Sequence, residues 1–295
     1  MVSDVIDRET SARQTRGGEE RPRRWGDWLR TAARGVGQTL LTVGLVALLF
    51  VVYQLWVTDL LAARAQDQLA EQIQDQWADS PTVAAPPADP APPTDPVPQP
   101  TPPDGSPAAP PAHTPGTIQA GLGDPFAILH IPRLGSNYSR VVVEGASEVQ
   151  LEQGPGHYVD TAMPGEQGNF AVAGHRVGRG SPFLNLDRMR PGDPVVVETE
   201  DSWFVYRVLG DAASGDFDAD PSGIPGRQIV RPSRVDVISP TPGRPAGGAP
   251  SGAYLTLTTC HPKYSAQQRL IVHARLDGAP LSKAAAPDGP PVLDG

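Results

Sequence analysis

The sequence predicts a mainly β domain, a small closed barrel with one or two short helices, carried on a single transmembrane helix and a proline-rich stalk. Three observations predict it. Between about Ile118 and Gly278, short runs of β-branched and aromatic residues are broken at close intervals by Gly, Pro and Asp, the pattern of many short strands in a closed sheet. Ahead of them lies one long uncharged apolar run. Between the two is a segment dominated by proline, too poor in apolar side chains to form a core.

Composition limits what surrounds this domain. The 35 prolines and 31 glycines among 295 residues are spread too unevenly for two packed cores, so one compact domain with accessory segments is expected. A net charge of -9, with no basic stripe in the C-terminal half, speaks against a nucleic-acid partner, whose phosphates call for clustered Lys and Arg. A single cysteine, Cys260, forbids an intrachain disulfide. It is therefore either an inert buried thiol or a nucleophile.

Residues 1–37 read as a cytoplasmic N-terminal segment and 38–58 as the transmembrane helix. The run TLLTVGLVALLFVVYQLWV (39–57) has no charge and is long enough to cross roughly 30 Å of hydrocarbon. A cleavable signal peptide is the competing reading. It is opposed by the late start and by bulky Trp56 and Leu60 where small residues are needed. Arg21, Arg23, Arg24, Arg30 and Arg34 precede the span, whereas Asp59, Asp67, Glu71, Asp75 and Asp79 follow it with only Arg64 among them. By the positive-inside rule the N-terminus is cytoplasmic and the remainder lies outside the plasma membrane. Residues 59–79 are expected as a juxtamembrane helix with a mechanical role, Leu61, Leu69 and Ile73 falling at roughly helical spacing. Residues 80–117 are the stalk, which as polyproline II at about 3.1 Å per residue reaches on the order of 100 Å.

Within the β domain, 118–278, the expected strands are FAILHI (126–131), SRVVVEG (139–145), NFAVAG (169–174), DPVVVET (193–199), WFVYRVL (203–209), RVDVIS (234–239), AYLTLTTC (253–260) and RLIVHARL (269–276). Only 146–153 and 183–190 read as helical turns, and 279–295 as a disordered tail. Asp216, Asp218 and Asp220 resemble the start of a calcium loop, but Pro221 stands where glycine is needed and Arg227 where a bidentate glutamate belongs, so they are read as a solvated loop.

Alternation along AYLTLTTC puts Tyr254, Thr256, Thr258 and Cys260 on one face; along RLIVHARL it groups Arg269, Ile271, His273 and Arg275. The connection HPKYSAQQ is short enough for an antiparallel hairpin, so Cys260 and Arg269 can face each other. A guanidinium there can hold a developing oxyanion. A nucleophilic thiol needs a base, and histidine is the usual one. Of six histidines, His113 falls in the stalk, His261 on the opposite side of the strand, and His130 inside a strand. His157, His175 and His273 remain open on spacing, with His175 favoured by its place where a strand runs into the Gly-rich VGRGS.

TLTTC followed by an Arg early in the next strand, with GNFAVAGHR upstream, resembles the sortase family, and TLTTCHP with RLIVHARL is similar to its class E. The segments ILHIPRLG, VVVEG, GPGHY, MPGEQGN, FLNLDRMRPGD and VYRV follow in the family's order, so the likeness covers about Phe126 to Leu276. The resemblance implies an eight-stranded sortase barrel with Cys260 as nucleophile, His175 as acid–base partner and Arg269 as the group that binds substrate and steadies the oxyanion. Thr258, Thr259 and Tyr254 of the cysteine strand are candidate substrate-binding residues. No metal or cofactor is implied. The partners implied are surface proteins with a C-terminal Leu-Pro/Ala-x-Thr-Gly-like sorting signal and the amine of a peptidoglycan precursor. The connection SPTPGRPAGGAPSG (239–252) departs from the family, which leaves the signal's second position open.

Two other classes stand beside this one. An L,D-transpeptidase sets its cysteine in a Ser-x-Gly-Cys context, and a papain-like peptidase opens a helix with it before the His; here the Cys ends a strand and His175 precedes it. A non-enzymatic stalked binding module would carry the thiol incidentally, and alkylating Cys260 would leave its binding intact.

Overall fold

The computed structural model of the chain describes residues 25–53, 58–79 and 114–293, so the expected N-terminal segment up to residue 24 and most of the stalk (80–113) lie outside the described residues. The described chain falls into two units. The first contains helix α1 (Trp25–Val52), and the second begins at Tyr53. Among the described residues α1 alone is long and apolar enough to cross a membrane, an 18-residue window within Trp28–Val52 reaching a mean hydropathy of 2.1. It starts earlier than the predicted span because nothing between Trp25 and Gln38 breaks a helix except isolated glycines.

The second unit is a closed barrel. Its strands are β1 (Pro125–His130), β2 (Ser139–Glu144), β3 (Gly156–His157), β4 (Gly168–Ala173), β5 (Pro194–Glu198), β6 (Ser202–Val208), β7 (Arg227–Val230), β8 (Ala253–His261), β9 (Gln268–Leu276) and β10 (Leu281–Ser282). Eight of them close the ring in the order β6-β5-β1-β2-β3-β4-β8-β9, and β9 returns to β6 through Arg207 opposite Arg275. The remaining two are additions: β7 takes the free edge of β9 below this junction, and β10 extends the edge of β6. Along the middle of β4, β8 and β9 the inward positions are apolar, with Phe170, Val172, Leu255, Leu257, Leu270, Val272 and Ala274 all in one core with Phe126, Leu129 and Phe204. That uniformity fixes the register, since a one-residue slip would turn the whole set to the outside.

Two expectations are corrected. RVDVIS is not a strand. Val235–Ile238 forms a 3-10 turn, Arg234 pairs with Asp236 two residues away, and the carbonyls of Val237 and Ser239 accept from the buried Asn169 amide instead of from a neighbouring strand. The tail is ordered through residue 293: Leu281 and Ser282 pair with Trp203 and Ser202, Trp203 Nε1 donates to the Ala286 carbonyl at 2.9 Å, and Lys283 meets Glu198 at 2.8 Å. Its anchors belong to the barrel, so the Ala- and Pro-rich tail sequence carries little sign of them. The helical turns expected at 146–153 and 183–190 appear as a single-turn helix, α3 (Glu148–Leu151), and a 3-10 turn at Leu186–Arg188.

The juxtamembrane segment is a helix, α2 (Thr58–Asp79), but it is not merely a spacer. Leu69 and Ile73, four apart and so on one face, pack with Ile128, Val141 and Val143 on the outer side of β1 and β2. Gln66 completes the edge of β2 with its side chain: Val141 N donates to its Oε1 at 2.8 Å, and its Nε2 donates to the carbonyls of Val141 and Gln153 at 3.2 and 2.8 Å. Leu61, expected on the same stripe, is exposed.

Candidate active site

Three strands bring the candidate residues to one end of the barrel. β8 lies between β4, to which it is parallel, and β9, to which it is antiparallel. Cys260 sits directly opposite Arg269, as the hairpin geometry predicts, so their Cβ atoms are neighbours at roughly 5 Å. On the other side Ala173 is opposite Thr258, and the ladder continues with Gly174 N donating to the Thr258 carbonyl at 3.0 Å. His175 follows directly, and the next residue, Arg176, reaches the Cys260 carbonyl, so the histidine leaves β4 at the end of β8 that carries Cys260. With Phe170, Val172, Leu255 and Leu257 inside, Ala173, Thr258 and Cys260 belong to the outer face.

The same face is closed lower down and open above. Val237 of the 3-10 turn packs on Ile271 and Val230, and beneath it runs a buried polar chain from Gln228 through His273 and Thr256 to Asn169. His273 Nδ1 meets Thr256 Oγ1 at 2.9 Å and its Nε2 meets Gln228 Nε2 at 3.0 Å. Complete burial pushes the pKa of His273 down to about 3, so it is neutral at any ordinary pH. His157 is equally enclosed, with Nδ1 2.7 Å from Glu144 and Nε2 2.8 Å from Thr161 Oγ1. Both rings are fully engaged in the interior.

His175 differs from both. Its Nε2 is buried and has no hydrogen-bond partner, although the ring as a whole is partly exposed. A buried nitrogen left without a partner points to a group held ready for something that arrives. Desolvation lowers its pKa below the usual imidazole value, with Glu148 acting weakly the other way. Arg269 is partly exposed and donates from Nη1 to the carbonyls of Ala266 and Gln268 at 2.9 and 3.1 Å. These are solvent-side bonds, which an incoming anion displaces at little cost.

Of the candidate substrate contacts, only Thr258 lies on the Cys260 face near the site, sharing a 3.0 Å hydrogen bond with Tyr158. Tyr254 is 2 % exposed at the far end of β8, bonded to Ser251 and packed with Leu209 and Ile224. Thr259 faces inward and donates to the Gly174 carbonyl at 2.7 Å. Neither is placed to touch a substrate; both hold the strand. Sequence reasoning overlooked Arg176, which is 4 % exposed and donates to the carbonyl of Cys260 at 3.3 Å. The only hint was its position next to His175. A concavity of about 930 Å3 lined by Arg133, Asp187, Arg188, Arg190, Phe217 and Arg227 does not include Cys260 or His175 in its walls.

Gly174 shows how tightly the histidine loop is set. A Cβ there would lie 2.6 Å from Phe183 Cδ2, and Phe183 is wholly buried while its N–H donates to the His175 carbonyl at 3.1 Å. Gly174→Ala must displace that ring, an overpacking that costs about 1–3 kcal/mol. The expected result is a melting temperature several degrees lower, and an unchanged melting curve would show that the loop yields freely.

As chemistry, a half-exposed thiol flanked by an imidazole on one strand and a guanidinium on the other can attack a carbonyl, protonate the leaving group and hold the oxyanion. The comparisons identify the family. The Sortase domain family model matches residues 129–277. The chain is 34% identical to Sortase SrtE1 of Streptomyces coelicolor over 85% of its own length and 59% of that protein's, so it spans less than two thirds of that relative. It is 33% identical to Sortase SrtE2 of the same organism over 93% of each chain. Among solved structures, the SrtF sortase from Corynebacterium diphtheriae superposes with a TM-score of 0.56 at 39% identity, covering 61% of this chain and 97% of that one. The barrel, the strand-end cysteine and these relatives together place the chain in the sortase family of cysteine transpeptidases, with the class E members.

Proposed function

We propose that this sortase cleaves a Leu-Pro/Ala-x-Thr-Gly-like sorting signal between Thr and Gly and transfers the Thr carbonyl to an amine of a cell-wall precursor. The observation that supports this reading is the register of β8 with β9, which sets Cys260 opposite Arg269, with His175 leaving the end of β4 next to that strand. Cys260 passes its thiol proton to His175 and its Sγ attacks the Thr carbonyl while Arg269 steadies the oxyanion. As the C–N bond breaks, His175 gives its proton to the departing glycine amine, leaving a thioester on Cys260. An incoming amine then attacks the thioester, its proton passes to His175, and the C–S bond breaks to restore the thiol. No cofactor takes part. The catalytic unit works outside the plasma membrane, held there by α1 as a single-pass anchor with its N-terminal end in the cytoplasm; the arginines before α1 and the acidic residues after it support this orientation. Its partners are surface proteins bearing the signal and the precursor that supplies the amine, with no nucleic acid among them.

The test is to trap the thioester. Incubation with a panel of signal peptides differing at the second position, followed by intact mass measurement, is expected to show one acyl adduct that ends at Thr and maps to Cys260. A Cys260→Ala variant that still cleaves, or an adduct on another residue, would sink the reading.

A further inference from the structure

We propose that Arg176 is a positioning residue for this reaction: its guanidinium bolts the histidine loop to the end of the cysteine strand and so sets the separation of His175 and Cys260. The inference rests on the assignment of those two residues given above.

The main-chain and Thr259 bonds that join β4 to β8 stop at Gly174, one residue short of His175. Beyond that point the link between the two chains passes through Arg176. Its side chain is buried and reaches the main chain at Cys260. There one planar group serves several segments at once. Nε donates to the Leu184 carbonyl at 3.3 Å within the histidine loop. Nη2 reaches Asp187 Oδ1 at 2.9 Å in the following 3-10 turn. Nη1 donates to the Cys260 carbonyl at 3.3 Å and lies 3.4 Å from His261 Nδ1.

Burying a charge costs several kcal/mol unless its partners compensate, so Arg176 is an expensive way merely to fill space. What it supplies is geometry. A rigid fork fixes three chain segments in one plane, which a lysine's single ammonium cannot do. His175 and Cys260 sit on neighbouring strands whose ladder has ended, and a displacement near 1 Å between reacting groups can cost about 10²-fold. The loop that Arg176 holds also shelters His175, whose pKa is kept low by burial. A purely structural staple would affect melting alone; a positioning residue also alters kcat and the environment of His175.

The experiment uses the full-length chain in detergent micelles, with Arg176→Met, Arg176→Lys and Asp187→Asn. For Arg176→Met we expect kcat for peptide cleavage to fall by about 10–100-fold while KM stays within about threefold. The His175 ring carbon resonance, assigned by its loss in His175→Gln, should titrate closer to the ordinary value of about 6.5 once the loop admits water. Arg176→Lys keeps the charge but not the fork that reaches Leu184, Asp187 and Cys260 together, and is expected to recover only a small part of the loss. Asp187→Asn removes an exposed partner without opening the interior and should give a smaller loss in the same direction, which keeps the idea testable if Arg176→Met fails to fold. The proposal is overturned if folded Arg176→Met keeps kcat within about threefold of wild type, if the His175 titration does not move, or if Arg176→Lys and Asp187→Asn lose activity only in proportion to unfolded protein. Turnover retained in Cys260→Ala or His175→Ala is a different failure, which removes the underlying assignment whatever the Arg176 variants do.

Discussion

Replacing His175 by alanine is expected to lower kcat for peptide cleavage by about 10²–10⁴-fold, the usual contribution of a general acid–base group. His273→Ala should leave the chemistry nearly intact in whatever fraction remains folded. His273 shares the outer face of the sheet with Cys260, so facing alone does not exclude it. His273 is opposite Thr256, four residues before Cys260, a separation of about 13 Å along the strand. Its ring is fully enclosed, both nitrogens have partners, and its pKa near 3 leaves it no proton to give. His175 has a free Nε2 and partial exposure at the strand end.

The two variants should also separate by stability. Removing the His273 ring leaves a cavity and takes one partner each from Thr256, which keeps Asn169, and the half-buried Gln228, at a cost of about 1–3 kcal/mol that will appear as a lower melting temperature. Its titration has a definite sign. An unfolded chain protonates this imidazole near pH 6.5, while the native site resists protonation until about pH 3, so its contribution is whole above 6.5 and is lost as pH falls through that window. The acid side of the stability profile should therefore be flatter in His273→Ala. Measuring kcat for cleavage and for aminolysis, with melting curves from about pH 4 to about pH 8 as the control, decides the matter. A dead but folded His273→Ala beside an active His175→Ala would mean that the site must be rebuilt around the hairpin.

Much of this site was legible before any coordinates because strands announce their faces. Alternation in AYLTLTTC and RLIVHARL, with a short connection between them, was enough to set Cys260 across from Arg269. The position of His175 followed from where GNFAVAG ends, but its adjacency to Cys260 depends on β4 and β8 being parallel neighbours, a long-range pairing that no local pattern encodes. Arg176 was hidden for the same reason: its partners Leu184, Asp187 and Cys260 come from three separate segments. Tyr254 and Thr259 show the opposite error. Polar residues near a nucleophile in sequence looked available to substrate, yet one is buried at the far end of its strand and the other faces inward. In the 234–239 stretch, β-branched residues suggested a strand, and the side chain of Asn169 overrode that preference by taking the carbonyls that a strand would have used.

The second large effect concerns α2, and it is one of stability. Ile73→Ala is expected to destabilise the catalytic unit by about 2–5 kcal/mol, the range for deleting a fully buried isoleucine side chain. For a unit of this size each kcal/mol is worth roughly 2–4 °C in melting temperature. Ile73 is completely buried although it belongs to a helix that precedes the stalk, and its neighbours Ile128, Val141 and Val143 lie on β1 and β2. A chain starting at Gly116 would therefore uncover that apolar patch and also lose the Gln66 amide that serves Val141 N and O at the β2 edge. It should melt well below one starting at Tyr53, and by more than Ile73→Ala alone. Gln66→Ala, which keeps the helix but leaves the Val141 backbone groups without their partner, should cost about 1–3 kcal/mol. A helix of this composition, rich in Gln and Ala, is marginal by itself, so its order and the strength of the patch depend on each other. If α2 were only a spacer, the chains beginning at Tyr53 and at Gly116 would melt together and Ile73→Ala would have no effect. That result would detach the helix from the barrel.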